Sequence, residues 1–471
     1  MSTADVSRFA ASRRPPTPTP GATTTALPDT PFTPPTPPQP QNQADSTHRP
    51  GAAMKLYAFQ GYRYNSARVD AAAQAAPPFD QIDESLRDRL HAQSPHQFAR
   101  VTKPVGRDGR TPHEDSVALH REWIENRVVV RDETPSIYPY AITQPDGSRR
   151  LGLCALVGVE PGREGDLWPH EQTVAKSIAE RLDLLRLSRI DIEPVFYLAE
   201  DDGTLERLLG EDCNGAAGVA LVSHTDPWTG DVHTLFRITD PERIRAYAAA
   251  LAGARAAIAD GHHRTQVAQT YAAEAGAASG TAAACKMVVL TSLASANLRI
   301  DPVHRGIRVP VDRDAMSSLP LRRDTLAETR GAAIAARVAA AGQPALAVWF
   351  RGDAAPELWT LDAAAAPTDM PGRKADLPAS LLHHHLLRSA GVPLEAATDG
   401  SIAYEADPDD IVAQLERAEI TAGVFLPPMT PRQFARATED GDLLPPKSTR
   451  FLPKLVSGLV WCAHDAHIVP G

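Results

Sequence analysis

The sequence predicts an α/β to α+β fold with mixed sheets and flanking helices, and three observations carry that prediction. Short apolar, β-rich runs at 151–157, 194–198 and 286–291 alternate along the chain with stretches of helical periodicity. The composition, 43% hydrophobic and 23% charged over 471 residues, is that of a globular protein large enough for two or three compact units. The third observation is the junction Ala257-Ile258-Ala259-Asp260-Gly261-His262-His263-Arg264. There an apolar run ends on an acid, turns at a glycine and opens an alanine-rich helical stretch.

Residues 1–53 differ from the rest. Of the 42 prolines, 12 fall in the first 50 residues, among Thr, Ser, Gln and Ala. Such a segment cannot bury enough apolar surface to offset its ordering entropy, so a disordered Pro/Thr-rich extension is expected. Met54 is itself a candidate translation start. The folded chain is expected over 54–471, with about 54–240 and 241–471 as candidate subdomains.

Within it, helical spacing marks 85–92 and 116–126, the latter with Leu119, Trp123 and Ile124 on one face and Asp115 or Ser116 as cap. Three β-rich runs, 127–130, 136–141 and 151–157, are separated by turn residues and read as a meander. Pro169-His170-Glu171-Gln172-Thr173 is expected to open a helix reaching about Arg186, with Pro169 at its start and Glu171 favoured by the dipole. A strand at 194–198, a helical piece ending near Gly210 and a half-buried strand at 231–238 follow. Beyond the junction come a buried strand at 286–291, a loop at 297–305, a helix at 322–341 and a hairpin around Gly352-Asp353. The chain then alternates strand 402–404, helix 408–418, strand 422–427 and a helix opened by Thr430-Pro431.

Composition also excludes classes of function. A net charge of −10 argues against a general nucleic-acid binder, which needs basic surface to displace counterions. Four dispersed cysteines, at 154, 213, 285 and 462, form no CxxC pair and suit a reducing cytoplasm. No apolar run reaches the roughly 20 residues of a membrane span, and a cytoplasmic protein is expected. None of these patterns encodes an oligomeric state.

Chemistry is expected at the junction. Free backbone N–H groups and the positive end of the helix dipole favour an anion there, and Gly261 lets it approach closely. Arg264 with His262 or His263 adds charge-assisted hydrogen bonds to phosphate oxygens, while Asp260 suits a histidine, a metal or a substrate hydroxyl. Glu171, beside His170, is a candidate general base or cation ligand. His304-Arg305 offers a second basic pair to the same anion. Lys447, Ser448 and Lys454 are candidates for phosphate or substrate contacts, although Pro446 stands where a phosphate loop needs a glycine N–H. His383-His384-His385 point about 100° apart on a helix and cannot all bind one ion, and the leucines around them read as core. His224 and His233 read as structural.

The same blocks carry a resemblance. Pro169-His170-Glu171-Gln172-Thr173 with Arg181-Leu182-Asp183, Asp260-Gly261-His262-His263-Arg264 after an apolar strand, Asp301-Pro302-Val303-His304-Arg305, and 446–455 (PKSTRFLPKL) resemble, in this order along the chain, the domain-of-unknown-function family numbered 1015. Pro77-Pro78-Phe79-Asp80 resembles that family's opening block. More distantly, the junction resembles the ParB and sulfiredoxin superfamily, in which a histidine-arginine turn sits on nucleotide phosphates and some members phosphorylate free serine. The resemblance implies a ParB/sulfiredoxin-like element around the turn. It also implies a nucleotide-dependent phosphotransferase acting on the hydroxyl of a small molecule such as serine, with ATP or ADP and Mg2+ as cofactors. In that reading Gly261, His262, His263, Arg264, Lys447 and Ser448 hold the nucleotide, and Asp260, Glu171 and His263 are catalytic. Asp260 and Glu171 also hold the metal, while His170, His304 and Arg305 contact the substrate. Thr265-Gln266 stands where the family usually has Tyr-Glu, so any role of that glutamate is absent here. Two other readings stand beside it: a metal-dependent phosphoester hydrolase using Asp260, His262, His263, His170 and His304, and a ParB-like nucleotide-sensing module without turnover.

Overall fold

Ala256–Asp260 is apolar on both faces, as a strand inside a covered sheet must be. In the computed structural model, which describes residues 54–160, 167–173, 175–214, 219–316, 321–342, 344–361, 377–438 and 443–471, this strand runs antiparallel to Val195–Ala199 and parallel to Leu167–Trp168. Val195–Ala199 pairs parallel with Cys285–Ser292, which pairs antiparallel with Arg149–Gly158. Tyr138–Thr143, Val232–Arg237 and Val219–Thr225 extend the sheet, and Leu56–Phe59 and Ile468–Pro470 bring it to ten strands. It draws strands from both sides of residue 240. The extension 1–53 lies outside the described residues.

Alternation along these strands builds two cores. Phe196, Leu198, Ala257, Ala259, Met287 and Val289 face the C-terminal segment that includes Leu455, Leu459 and Trp461. Val195, Tyr197, Ala256, Ile258, Val288 and Leu290 face helices Thr204–Asn214 and Pro241–Leu251 through Leu205, Leu208, Leu209, Ile244, Tyr247 and Leu251. Each large apolar side chain buried this way contributes roughly 1.5–3 kcal/mol.

A second, antiparallel sheet runs in the order Leu321–Thr325, Glu357–Leu361, Ala345–Phe350, Ala422–Phe425, His304–Ile307, Ile402–Glu405. Helices Gly331–Ala339 and Pro408–Glu416 share a core with it through Ile334, Val338, Ile411 and Leu415. The turn at Gly352 joins two of its strands as the sequence suggests.

Several expectations are corrected. The helix expected from 116 is Pro112–Glu125, because Thr111 caps it, closing a capping box with Glu114, and Pro112 opens its first turn. Val129–Arg131 pairs with Tyr62–Tyr64 instead of joining the meander; Arg127, in the left-handed conformation, turns the chain away at the helix end. Residues 321–325, expected as helix from 322, form an edge strand, since pairing with Glu357–Leu361 overrides local propensity. The expected loop at 297–305 contains Arg299–Asp301, paired with Arg450–Leu452, and the start of His304–Ile307. His383 is buried among leucines. His224 and His233 bond inward to Ala72 O and the Tyr140 hydroxyl. Among the described residues no helix is long and apolar enough to cross a membrane.

Candidate active site

Gly261 makes the turn from strand to helix. Its φ of 95° lies in the left-handed region, and a Cβ there would sit 2.5 Å from Val195 Cγ1. Both dihedral and space therefore require glycine. Helix His262–Glu274 starts directly afterwards, and Thr265 binds Gly261 O through its N–H at 2.9 Å and its hydroxyl at 3.1 Å. The Tyr197 hydroxyl, on the neighbouring strand, lies 3.0 Å from the Thr265 hydroxyl. Helix and sheet are thus pinned together, with the positive end of the dipole beside Asp260.

Asp260 accepts a 2.7 Å hydrogen bond from Lys454 Nζ on Oδ2, and Arg264 Nη2 stands 3.8 Å from Oδ1. Arg264 Nη1 donates to Pro194 O at 2.8 Å, which fixes the guanidinium at the start of strand Val195–Ala199. Burial pushes the Asp260 carboxyl upward, but Lys454 and Arg264 outweigh it and hold the group at about 2. Glu171 behaves oppositely. Burial and nearby Asp260 raise its proton affinity more than Lys447 and Lys454 lower it. Two carboxyls of opposite tendency therefore share one electrostatic neighbourhood with two lysines.

Glu171 reaches that place by packing, not by the helix dipole. The expected helix start at Pro169 is corrected: the helix is Ala175–Ser188, and 169–173 lead into it as irregular backbone. His170 anchors this segment. It is 0% exposed, lies within 4.5 Å of the His262 ring centre and 5.0 Å of Phe434, and its Nε2 pairs with the Thr449 hydroxyl at 2.8 Å. Its N–H donates to His262 Nε2 at 3.3 Å, while Leu444 N–H donates to His170 O at 2.8 Å. The His262 proton accordingly sits on Nδ1. His170, expected at the substrate, and His262, expected at the nucleotide, are both buried, and they stitch the segment 169–173 to the junction.

His304 and Arg305 are likewise turned inward, against the expectation that they offer a basic pair to a ligand. His304 Nδ1 accepts from Leu426 N–H at 3.1 Å. The fully buried Arg305 donates to Val303 O at 2.5 Å, to Pro446 O and Lys447 O at 3.0 Å each, and to His383 Nε2 at 3.2 Å. It also lies 4.5 Å over the Tyr404 ring. The guanidinium clamps the turn that carries Lys447, whose own backbone is left-handed at φ 56°. Ser448 donates to Pro445 O at 2.6 Å, so its hydroxyl too braces the turn. Lys447 itself is exposed, and His263 is half-buried nearby, its protonated form disfavoured first by burial and then by Lys447 and Arg264.

Thr265 and Gln266, where the chain departs from the usual pattern, are both engaged: Gln266 Oε1 accepts from the Thr173 hydroxyl at 2.5 Å. Sequence reasoning named Lys454 but not its pairing with Asp260, and it missed Thr449 and Tyr197 as supports. The only signal for Lys454 and Thr449 was their place in the block 446–455.

The buried histidines set an acid limit on stability. Burial lowers His262 and His304 to about 4, below the ordinary histidine value of 6.5. Between those values the unfolded chain binds protons that the folded chain refuses, so stability is complete above pH 6.5 and is lost as pH falls toward 4, by about 3 kcal/mol per histidine. Asp260, depressed instead, withdraws about 2 kcal/mol in a lower window, from roughly pH 4 to 2. A melting temperature lower at pH 5 than at pH 7.5 is the expected result; an unchanged one would contradict neutral, buried imidazoles.

No curated protein matches the chain. Among solved structures it is similar to a free serine kinase in complex with AMP, at 13% identity over 65% of this chain and 92% of that one, with a TM-score of 0.34. A conserved hypothetical protein from Pyrococcus furiosus gives 13%, 64%, 94% and 0.33. SbnI with a C-terminal truncation, from Staphylococcus aureus, gives 11%, 64%, 85% and 0.35. Residues 56–319, over half the chain and including both the 169–173 segment and the Gly261 junction, match the family model described as Protein of unknown function (DUF1015), and the protein belongs to that family.

Proposed function

We propose that the protein is a nucleotide-dependent phosphotransferase acting on the hydroxyl of a small molecule; the more distant ParB and sulfiredoxin resemblance puts a free amino acid such as serine among the candidate acceptors. The observation that carries this reading is the divergence of Asp260 and Glu171 beside one helix N-terminus, the former held ionised and the latter raised in proton affinity. Phosphoryl transfer asks for positioning and charge neutralisation more than for covalent chemistry. The N-terminal N–H groups of helix His262–Glu274, with Lys447 and His263, would hold the phosphates of ATP or ADP. Glu171 would take the proton of the acceptor hydroxyl as its oxygen bonds to the terminal phosphorus and the bond to the bridging oxygen breaks, leaving the shortened nucleotide. Asp260 and Glu171 would be the residues to hold a magnesium ion, carboxylate oxygens being its preferred protein ligands. Such an ion would supply further neutralisation of phosphate charge.

The hydrolase reading has less support. Among the described residues no three His, Cys, Asp or Glu side chains converge on a metal-sized site, and His170, His262 and His304 are engaged internally.

The test is phosphorus NMR of the protein with Mg-ATP or Mg-ADP and hydroxyl amino acids, alongside calorimetric nucleotide titration of Lys447→Ala. A new phosphomonoester and a 10- to 100-fold weaker nucleotide Kd in the variant are expected, about the effect of losing one charge-assisted hydrogen bond. Loss of nucleotide phosphate without an ester would favour the hydrolase. Binding without turnover would leave a sensor, and nucleotide affinity indifferent to Lys447 would remove the site.

A further inference from the structure

The two sides of helix His262–Glu274 differ chemically. At 100° per residue, His262, Thr265, Gln266 and Gln269 fall on one face, whereas His263 lies about 100° round the helix from His262 and feels the charges of Lys447, Arg264 and Asp80. The first face, with Glu171, Gln172 and Thr173 opposite, borders a cleft of about 530 Å3 whose remaining wall is apolar, formed by residues such as Leu167, Ile258 and Leu443. Glu171 thus stands between a cationic compartment and an amide-lined one.

Resting on the phosphotransferase reading, we propose that the amide-lined cleft is the acceptor site and that its acceptor is a neutral, hydroxyl-rich molecule of the polyol, sugar or nucleoside class, not a zwitterionic amino acid. Among the described residues lining the cleft there is no lysine or arginine to meet a carboxylate. Among these described lining residues the only carboxyl is that of Glu171, so an acceptor carboxylate against this wall would face a like charge with no cation in the lining itself. His262 contributes nothing cationic, since its Nε2 is occupied by the His170 N–H. Stripping a carboxylate and an ammonium of water without partners costs several kcal/mol.

The neutral groups are arranged for hydroxyls instead. The Thr173 hydroxyl holds Gln266 Oε1, which leaves the Gln266 amide N–H groups as donors. Gln172 and Gln269 each add a donor and an acceptor, and a hydroxyl, which both donates and accepts, satisfies such a lining while an ammonium or a carboxylate satisfies half of it. Glu171 then lies where one of several acceptor hydroxyls meets the phosphate side. The amides select, and Glu171 takes the proton.

The experiment compares phosphomonoester formation from Mg-ATP, by phosphorus NMR, with a neutral pool (glycerol, ribose, myo-inositol, adenosine) and an amino-acid pool (serine, threonine, homoserine), for the wild-type protein, Gln269→Ala and Gln266→Glu. Ester from the neutral pool at a rate at least about tenfold higher is expected, with acceptor kcat/KM about tenfold lower in Gln269→Ala, the scale of one hydrogen bond, and nucleotide KM unchanged. Gln266→Glu, which adds a second carboxylate to the cleft, should widen the preference by lowering amino-acid turnover further. Equal or faster transfer to the amino acids would overturn the acceptor class while leaving the phosphotransferase standing. Ester from the neutral pool with Gln269→Ala unaffected would overturn the cleft as its site. Nucleotide binding with no ester from either pool would also overturn the proposal, and absence of nucleotide binding would remove the reading beneath it.

Discussion

Glu171→Gln is expected to lower phosphoryl transfer by about 100- to 10,000-fold, the range over which a positioned general base contributes. The substitution keeps shape and removes the ability to take a proton, together with one anionic ligand for magnesium. Glu171 is half-buried and its proton affinity is raised chiefly by burial, so exchanging it for a neutral amide relieves a desolvation cost, and the melting temperature should hold or rise. The Kd of nucleotide without magnesium, measured by calorimetry, should change little, because Lys447 and the helix N-terminus remain. The pH profile is the sharper readout. Wild-type kcat should fall on the acid side as Glu171 becomes protonated, at a pH above the ordinary glutamate value, and that limb should vanish in the residual activity of the variant. An activity within threefold of wild type would show that Glu171 takes no proton in the reaction.

Arg305→Ala should be the most damaging substitution for the fold around the site. It strips four acceptors of their donor at a fully buried position, namely Val303 O, Pro446 O, Lys447 O and His383 Nε2. The loss is expected at about 3–5 kcal/mol in urea unfolding, the scale of leaving several buried acceptors without a donor. Should that variant fail to fold, Arg305→Lys separates the positioning role from general stability. An ammonium cannot span the paired carbonyls of 446 and 447, so Lys447 would lose its place even in a folded protein. Nucleotide affinity in Arg305→Lys should then fall as far as in Lys447→Ala, with the double variant no weaker than either single one. Additive losses would mean that Arg305 supports the fold without placing Lys447.

What local chemistry dictates was legible in the sequence. The apolar strand Ala256–Asp260, the glycine that alone tolerates φ 95° against Val195, and the helix that follows are properties of neighbouring residues, and pattern reading found all three. The same holds for the buried strands Val195–Ala199 and Cys285–Ser292, whose continuous apolar character needs no partner to be recognised. The charge-bearing blocks were recognisable too, but as residue types only.

Their partners were not legible, because the pairings cross long stretches of chain. Lys454 meets Asp260 from 194 positions away, and His170 meets Thr449 from 279. Sequence assigned Glu171 to a helix start and His304-Arg305 to a ligand; tertiary packing put Glu171 on irregular backbone and turned the basic pair into the interior. The physical reason is the same in each case. Dihedral preference and periodicity act over a few residues, so they determine the strand, the glycine turn and the helix that favour an anion. Burial and charge pairing act through space, and only the folded arrangement decided which carboxyl is ionised, which is raised in proton affinity, and which arginine braces the turn instead of facing the site.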